Sequence, residues 1–355
     1  MISETLTLAD FGWNNFFSSQ LDPTDSTSAV PVRVVAVHRD RLHVVGPKVD
    51  TFVPPFTETD GDEESVATVG DWLLLDAAMT RALRLLRRHS LFKRRAAGTG
   101  RKLQLIAANV NTLFIVSSCN QDFNPARLER YLALAREARV LPVVVLTKAD
   151  LAKDPEEFAR AASKLLTGLV VQTLDARDSD MAARLLSWCA RGDTVALVGS
   201  SGVGKSTLIN TLTATRAATT QDIRDGDDKG RHTTTGRALH RLPAGGWLVD
   251  TPGMREIQLT DAAAGLDDVF AEVSAIAANC RFRDCRHQSE PGCAVNAAVL
   301  VGTLDAGRVK RWRKLLAEEA HNNETLAERH ARNRGFGKLA RRTQAEKASR
   351  RKPDG

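Results

Sequence analysis

Residues 199–206 read Gly-Ser-Ser-Gly-Val-Gly-Lys-Ser and follow directly on the apolar run Thr194–Val198. A strand that turns through such a loop into a helix starting at Lys205 restricts the chain to an α/β fold with a parallel sheet. The glycines let backbone N–H groups wrap a phosphate chain, and the positive end of the following helix reinforces them. Gly199, Ser200, Ser201, Gly202, Val203, Gly204, Lys205, Ser206 and Thr207 are therefore the expected phosphate-binding set. Lys205 is expected to reach the β- and γ-phosphates, and the Ser206 hydroxyl to bind Mg²⁺. A chance glycine-rich turn is the competing reading, and the flanking strand and helix argue against it.

Around this loop the sequence places further nucleotide motifs in an unusual order. Trp247-Leu248-Val249-Asp250 is an apolar strand ending in a carboxylate, and it continues as Asp250-Thr251-Pro252-Gly253. Asp250 can hold an Mg²⁺-bound water, and the Gly253 N–H can sense the γ-phosphate. Between the two motifs, Thr233-Thr234-Thr235 offers hydroxyls; Thr234 is the chosen Mg²⁺ ligand among three neighbours. Upstream, Thr147-Lys148-Ala149-Asp150 closes the strand Val143–Leu146. A carboxylate at Asp150 suits the N1–H and 2-amino group of guanine, with Lys148 along the base and Thr147 tying loops together. A plain helix N-cap is the other reading of Asp150. Asp175-Ala176 is the expected second base loop, donating a backbone N–H to guanine O6. The base loops thus precede the phosphate loop, as circular permutation of an ordinary GTPase sheet would produce. Met254 follows Gly253 where a water-orienting Gln would stand, so His232 or a partner must supply that function.

The remaining organisation follows from composition. The short β-like runs between Pro31 and Leu86 suggest a small barrel, preceded by a polar leader carrying Phe11, Trp13, Phe16 and Phe17. Those aromatics are expected to dock within the chain. Arg84, Arg87, Arg88, Lys93, Arg94, Arg95, Arg101 and Lys102 read as a basic, mobile connector. Apolar runs then alternate with helical stretches, as parallel sheets with crossover helices require. Lys and Arg total 50 against 43 Asp and Glu, and the excess gathers beyond Arg329, a polyanion-binding tail or a solvated extension. The apolar runs are strand-sized and no leader of the export type is visible, which suggests a cytoplasmic protein without a membrane span.

Cys280-x4-Cys285-x-His287-x5-Cys293 offers three thiolates and an imidazole in fourteen residues, a closed tetrahedral set of the structural zinc kind. Reduced cysteines beside a surface histidine are the alternative. Cys119 and Cys189 lie in apolar surroundings and read as core thiols.

Taken together, the permuted motifs, the stretch Gln104–Val110 and the Cys280–Cys293 cluster resemble the bacterial small-ribosomal-subunit biogenesis GTPase family, RsgA or YjeQ. The resemblance implies a multidomain chain: an N-terminal all-β OB-fold barrel, a central α/β circularly permuted P-loop GTPase and a C-terminal α-helical zinc-binding domain. Drawn on this sequence, residues 1–29 are a leader, 30–97 the OB-fold, 98–260 the GTPase domain, 261–335 the zinc-binding helical domain and 336–355 a basic, disordered tail. It further implies GTP hydrolysis in late maturation of the 30S subunit, rRNA binding, stimulation by the ribosome, Mg²⁺ with GTP or GDP, one zinc per chain, and a monomer. Asp175 departs from the family's pattern, which usually has Ser in this second base loop. Two other functions compete: an RNA-binding module with a vestigial nucleotide site, and a P-loop small-molecule kinase.

Overall fold

The computed structural model describes residues 6–23, 25, 29–95, 103–214, 237–250, 259 and 261–323. Its strands are β1 (Val30–Val37), β2 (Leu42–Gly46), β3 (Val49–Val53), β4 (Trp72–Leu75), β5 (Ala82–Leu85), β6 (Leu91–Arg95), β7 (Leu103–Ala108), β8 (Thr112–Ser118), β9 (Leu141–Thr147), β10 (Val170–Thr173), β11 (Thr194–Val198), β12 (Arg237–Arg241) and β13 (Trp247–Asp250).

The strand that feeds the phosphate loop, β11, lies at the centre of an α/β sheet in the order β10-β9-β8-β11-β13-β12. All neighbours are parallel except β12, which runs antiparallel to β13. The strands that come first along the chain, β8 to β10, therefore lie to one side of β11, and those that follow it lie to the other. Sheets of this type bind ligands at the carboxyl ends of their strands. The side chains alternate as a sheet covered on both faces demands. Phe114, Val116, Val143, Val145, Val195 and Leu197 pack in one buried cluster with Leu208 and Leu212 of the helix Lys205–Ala214. Ile115, Val144, Leu146, Ala196 and Val198 pack in another with Leu128 and Leu132 of the helix Pro125–Glu137. That helix starts where Asn124 accepts the Arg127 N–H and Pro125 takes a first-turn position whose N–H would be unpaired anyway.

The N-terminal strands form a branched antiparallel unit. β1 pairs with β2 and β4, β2 continues to β3, and β4 pairs with β5 around a core of Val32, Val34, Leu42, Val44, Leu73 and Leu75. This unit is joined to the α/β sheet by main-chain pairing, since β1 also meets β12 through Ala36↔Ala238 and Val37↔Arg237. The leader docks across the same junction. Phe11 packs on Trp247 at 5.8 Å and Trp13 on Trp72 at 4.8 Å. The buried Arg33 donates to the Phe11 carbonyl and to Thr194 Oγ1, both at 2.6 Å.

The basic run from Arg84 to Arg95 is not a mobile connector. Arg84 lies in β5, and Lys93, Arg94 and Arg95 lie in β6, which forms a hairpin with β7. Acids remote in sequence hold it: Asp25 pairs with Arg84 at 2.9 Å, Asp71 with Arg88 at 2.7 Å, and Glu64 with Lys93 at 2.7 Å. Arg101 and Lys102 lie outside the described residues.

Beyond β13 the described chain is helical, with helices Ala263–Val269, Ala271–Ala277, Ala294–Leu300 and Ala306–Asn323. Gly265 lets the first of these cross the helix Pro125–Glu137 closely, because a Cβ there would meet the Ala133 carbonyl oxygen at 2.0 Å. Glu129, fully buried on the helix Pro125–Glu137, accepts from Arg308 and Arg311 of the helix Ala306–Asn323 at 2.9 and 2.7 Å. A buried carboxylate needs such partners, since burial without them costs several kcal/mol, about 3–5 when one partner is removed. No helix among the described residues is long and apolar enough to cross a membrane.

Candidate functional site

The phosphate loop runs between β11 and the helix Lys205–Ala214, with Gly199, Gly202 and Gly204 at φ 147°, 79° and 92°, conformations that L side chains rarely adopt. At Gly199 space forces the choice as well, because a Cβ would meet the Val116 carbonyl oxygen of β8 at 2.2 Å. The Lys205 ammonium is largely buried inside the loop, donating to the Gly199 carbonyl at 2.8 Å and to that of Ser200. It is thus held among the atoms that would surround a phosphate chain. Ser206 and Thr207, in the first turn of the helix, are exposed, as an Mg²⁺-binding hydroxyl must be. Ser200 is half-buried, Ser201 exposed, and Val203 is buried in the sheet core.

The two candidate base loops approach this cradle from β9 and β10, on the far side of β8. β9 ends in Thr147, whose Oγ1 lies 2.6 Å from the Val203 carbonyl and 3.1 Å from that of Ser117, linking three loops. Lys148 then adopts a left-handed conformation, φ 57°, and Ala149-Asp150 enter a short 3₁₀ turn. The second base loop follows β10. The Leu174 carbonyl accepts the Ala149 N–H at 3.4 Å, and the Ala176 carbonyl accepts the Thr211 hydroxyl of the helix Lys205–Ala214 at 2.7 Å. Asp175 and Asp150 are bridged by Arg177, which donates to Asp150 Oδ2 through Nη2 at 2.8 Å. The hydrogen bonds from Arg177 hold the Asp175 carboxyl below the usual carboxylate range. Sequence reading missed Arg177; the residue stands two places beyond Asp175, and only the fold turns it towards Asp150.

Asp250 ends β13 beside β11, with its backbone opposite Ala238 and its side chain outside the described part. Thr234, His232 and Gly253 also lie outside the described residues.

A second cluster lies in the helical segment. Ligand atoms of Cys280, Cys285, His287 and Cys293 all fall within 4.8 Å of one another. Cys280 Sγ is 3.5 Å from His287 Nδ1 and 4.0 Å from Cys293 Sγ, and Cys293 Sγ is 3.6 Å from His287 Nδ1. Zn–S bonds of about 2.3 Å and Zn–N bonds of about 2.0–2.1 Å in a tetrahedron put ligand atoms roughly 3.5–3.8 Å apart, so the donor set fits a four-coordinate zinc. The Trp312 ring packs on His287 at 5.0 Å, and the His287 carbonyl accepts from Arg313. The remaining cysteines stand apart: burial pushes the Cys119 thiol up to about 11 and that of Cys189 up to about 12, so both stay protonated.

The family description "RsgA GTPase" matches residues 85–260. Over 350 residues the chain is 48% identical to "Small ribosomal subunit biogenesis GTPase RsgA 2" of Vibrio parahaemolyticus, covering 99% of this chain and 96% of the relative. Over 320 residues it is 51% identical to "Small ribosomal subunit biogenesis GTPase RsgA" of Mesorhizobium japonicum, covering 89% and 90%. Among solved structures the fold is similar to that of YjeQ from Thermotoga maritima, with a TM-score of 0.58 and 22% identity over 82% of this chain and 98% of that one. It is also similar to YloQ, described as a circularly permuted GTPase, with a TM-score of 0.56 and 22% identity over 84% and 97%.

Proposed function

The chain belongs to the RsgA GTPase family, and on that premise we propose that it hydrolyses GTP to GDP and phosphate in late maturation of the 30S ribosomal subunit, binding rRNA and being stimulated by the ribosome. The observation that carries the reading is the convergence of phosphate loop and both base loops at the carboxyl ends of strands of one parallel sheet, linked by Thr147. A kinase for small molecules would have no use for a guanine-reading carboxylate, and a vestigial site no use for a buried lysine among loop carbonyls.

In this reading Gly199 to Thr207 hold the phosphates, while Thr147, Lys148, Ala149 and Asp150, with Asp175 and Ala176, hold the base. Ser206, Thr234 and the water at Asp250 would hold Mg²⁺, which supplies charge neutralisation at the β- and γ-phosphates. Lys205 adds fixed positive charge where the transition state spreads negative charge over phosphate oxygens. Gly253 reports the γ-phosphate, and His232 or the ribosome orients the attacking water that Met254 cannot. Cys280, Cys285, His287 and Cys293 hold one zinc per chain as a structural centre.

For the N-terminal unit we assign an OB-fold, supported by the pairing β3-β2-β1-β4-β5, in which β1 serves two neighbours. The division into residues 1–29, 30–97, 98–260, 261–335 and 336–355 is retained, with a monomer working in the cytoplasm. The basic residues beyond Arg329, outside the described part, would contact rRNA phosphates.

The test is GTP and ATP hydrolysis measured with and without purified 30S subunits, for the full chain and for a chain ending at residue 335. We expect GTP hydrolysis to rise many-fold with subunits, and subunit binding by the shorter chain to be weaker with a shallower salt dependence. Turnover of ATP equal to that of GTP, or a rate indifferent to subunits, refutes the reading.

A further inference from the structure

Across the base loops the carboxylates of Asp150 and Asp175 come within reach of a single guanidinium. Arg177 stands between them. Its own backbone N–H donates to Asp175 Oδ1 at 2.9 Å, and Nε sits 3.0 and 3.2 Å from the two Asp175 oxygens. Nη2 then donates to Asp175 Oδ2 and to Asp150 Oδ2, each at 2.8 Å. The guanidinium is planar, so anchoring Nε and Nη2 on Asp175 fixes the direction of the second N–H of Nη2. That N–H is the one directed at Asp150.

A carboxylate offers about four lone-pair positions. One arginine donor on Oδ2 leaves enough for the two donors that guanine presents, while restricting how the group can rotate. Exposure does not argue against this role: Arg177 is 68% exposed and Asp150 31%, as residues at the mouth of a ligand site should be. The ion pair is therefore worth little to stability, and its effect belongs to the ligand.

We propose that Arg177, clamped by Asp175, is the positioning residue of the guanine-reading carboxylate, holding Asp150 turned towards the base. The Asp at position 175 is then no defect in the second base loop. The inference rests on the reading of Asp150 as the guanine acceptor.

The experiment measures equilibrium binding of GDP and of inosine diphosphate, which lacks the 2-amino group, to the full chain and to Arg177→Ala, Arg177→Lys and Asp150→Asn. For Arg177→Ala we expect a roughly fivefold loss of GDP affinity, a small effect of the kind an exposed charge pair gives. We also expect a reduced preference for GDP over inosine diphosphate, because a misdirected carboxylate loses the 2-amino contact first. Arg177→Lys should recover part of both, since a single ammonium can reach one carboxylate but cannot clamp two. A mere loosening of the loop would lower both affinities alike, and that outcome overturns the proposal. So does a gain in GDP affinity, which would make Arg177 an obstruction to the base. If Asp150→Asn loses the preference and Arg177→Ala keeps it, only the positioning role fails; if Asp150→Asn keeps it, the base-loop reading fails as well.

Discussion

At Gly199 a single methyl group decides between a working and a broken phosphate loop, since the Val116 carbonyl stands 2.2 Å from where it would go and the backbone has φ 147°. Gly199→Ala must shift β8 or the start of the loop, and both Val116 and Gly199 are buried. We expect it to lower nucleotide affinity at least about tenfold, with a stability loss of roughly 1–3 kcal/mol from strain of this kind; titration with GDP and urea unfolding check the two separately. Lys205→Ala removes the cation held at the Gly199 carbonyl, and Ser206→Ala an exposed hydroxyl of the first helical turn. Each should suppress GTP turnover by about a hundredfold or more, the scale on which single electrostatic contacts to a transition state act. Normal turnover in both variants would dissociate hydrolysis from this loop. The motif was legible in the sequence because every residue of it is contiguous. Arg177 was not legible, because its meaning depends on Asp150, 27 positions away.

Among the elements, the leader does more than precede the first strand. Asp10 accepts from Arg191 at 2.6 Å and from the Thr7 N–H at 2.7 Å, while its carbonyl takes the Trp247 Nε1–H at 2.8 Å. One short 3₁₀ turn thereby fastens the N-terminal unit to both β13 and the segment leading into β11. The Arg191 hydrogen bonds, foremost, hold the Asp10 carboxyl well below the usual carboxylate range. A depressed pKa in the folded state contributes stability that is complete above the unfolded value of about 3.9 and is lost as pH falls through the folded value. Asp10→Asn should therefore cost about 2 kcal/mol at neutral pH, and the deficit should shrink once pH drops below about 4. Urea unfolding followed by tryptophan fluorescence at several pH values measures this; a deficit independent of pH would mean that the charge of Asp10 is irrelevant. From the sequence, the aromatic cluster suggested docking, but the acid that secures it carried no signal of its own.

Over the whole molecule, the ligand quartet gathers residues 280–293 within the C-terminal segment, while the Glu129 ion network ties the helix Ala306–Asn323 to the helix Pro125–Glu137. Metal analysis of the purified protein should find about one zinc per chain. Chelation or Cys285→Ser should raise hydrogen exchange across residues 265–300 and leave the helix Lys205–Ala214 protected, because a closed four-ligand site stabilises its own surroundings. Equal loss of protection in both regions would show that the quartet supports the entire fold. The sequence by itself pointed to the chemistry: glycine spacing suggests a phosphate cradle, alternating strands and helices suggest a parallel sheet, and four potential ligands within fourteen residues suggest a metal site. Each of these is a local pattern, whose geometry follows from neighbouring residues. Tertiary structure alone decided that β1 adds to the GTPase sheet through β12, that Arg84, Arg88 and Lys93 of the basic run are held by acids elsewhere, and that Arg177 turns to Asp150. A charge in a sequence has no partner until the chain is packed, because pairing depends on distances between residues that only the common core brings together.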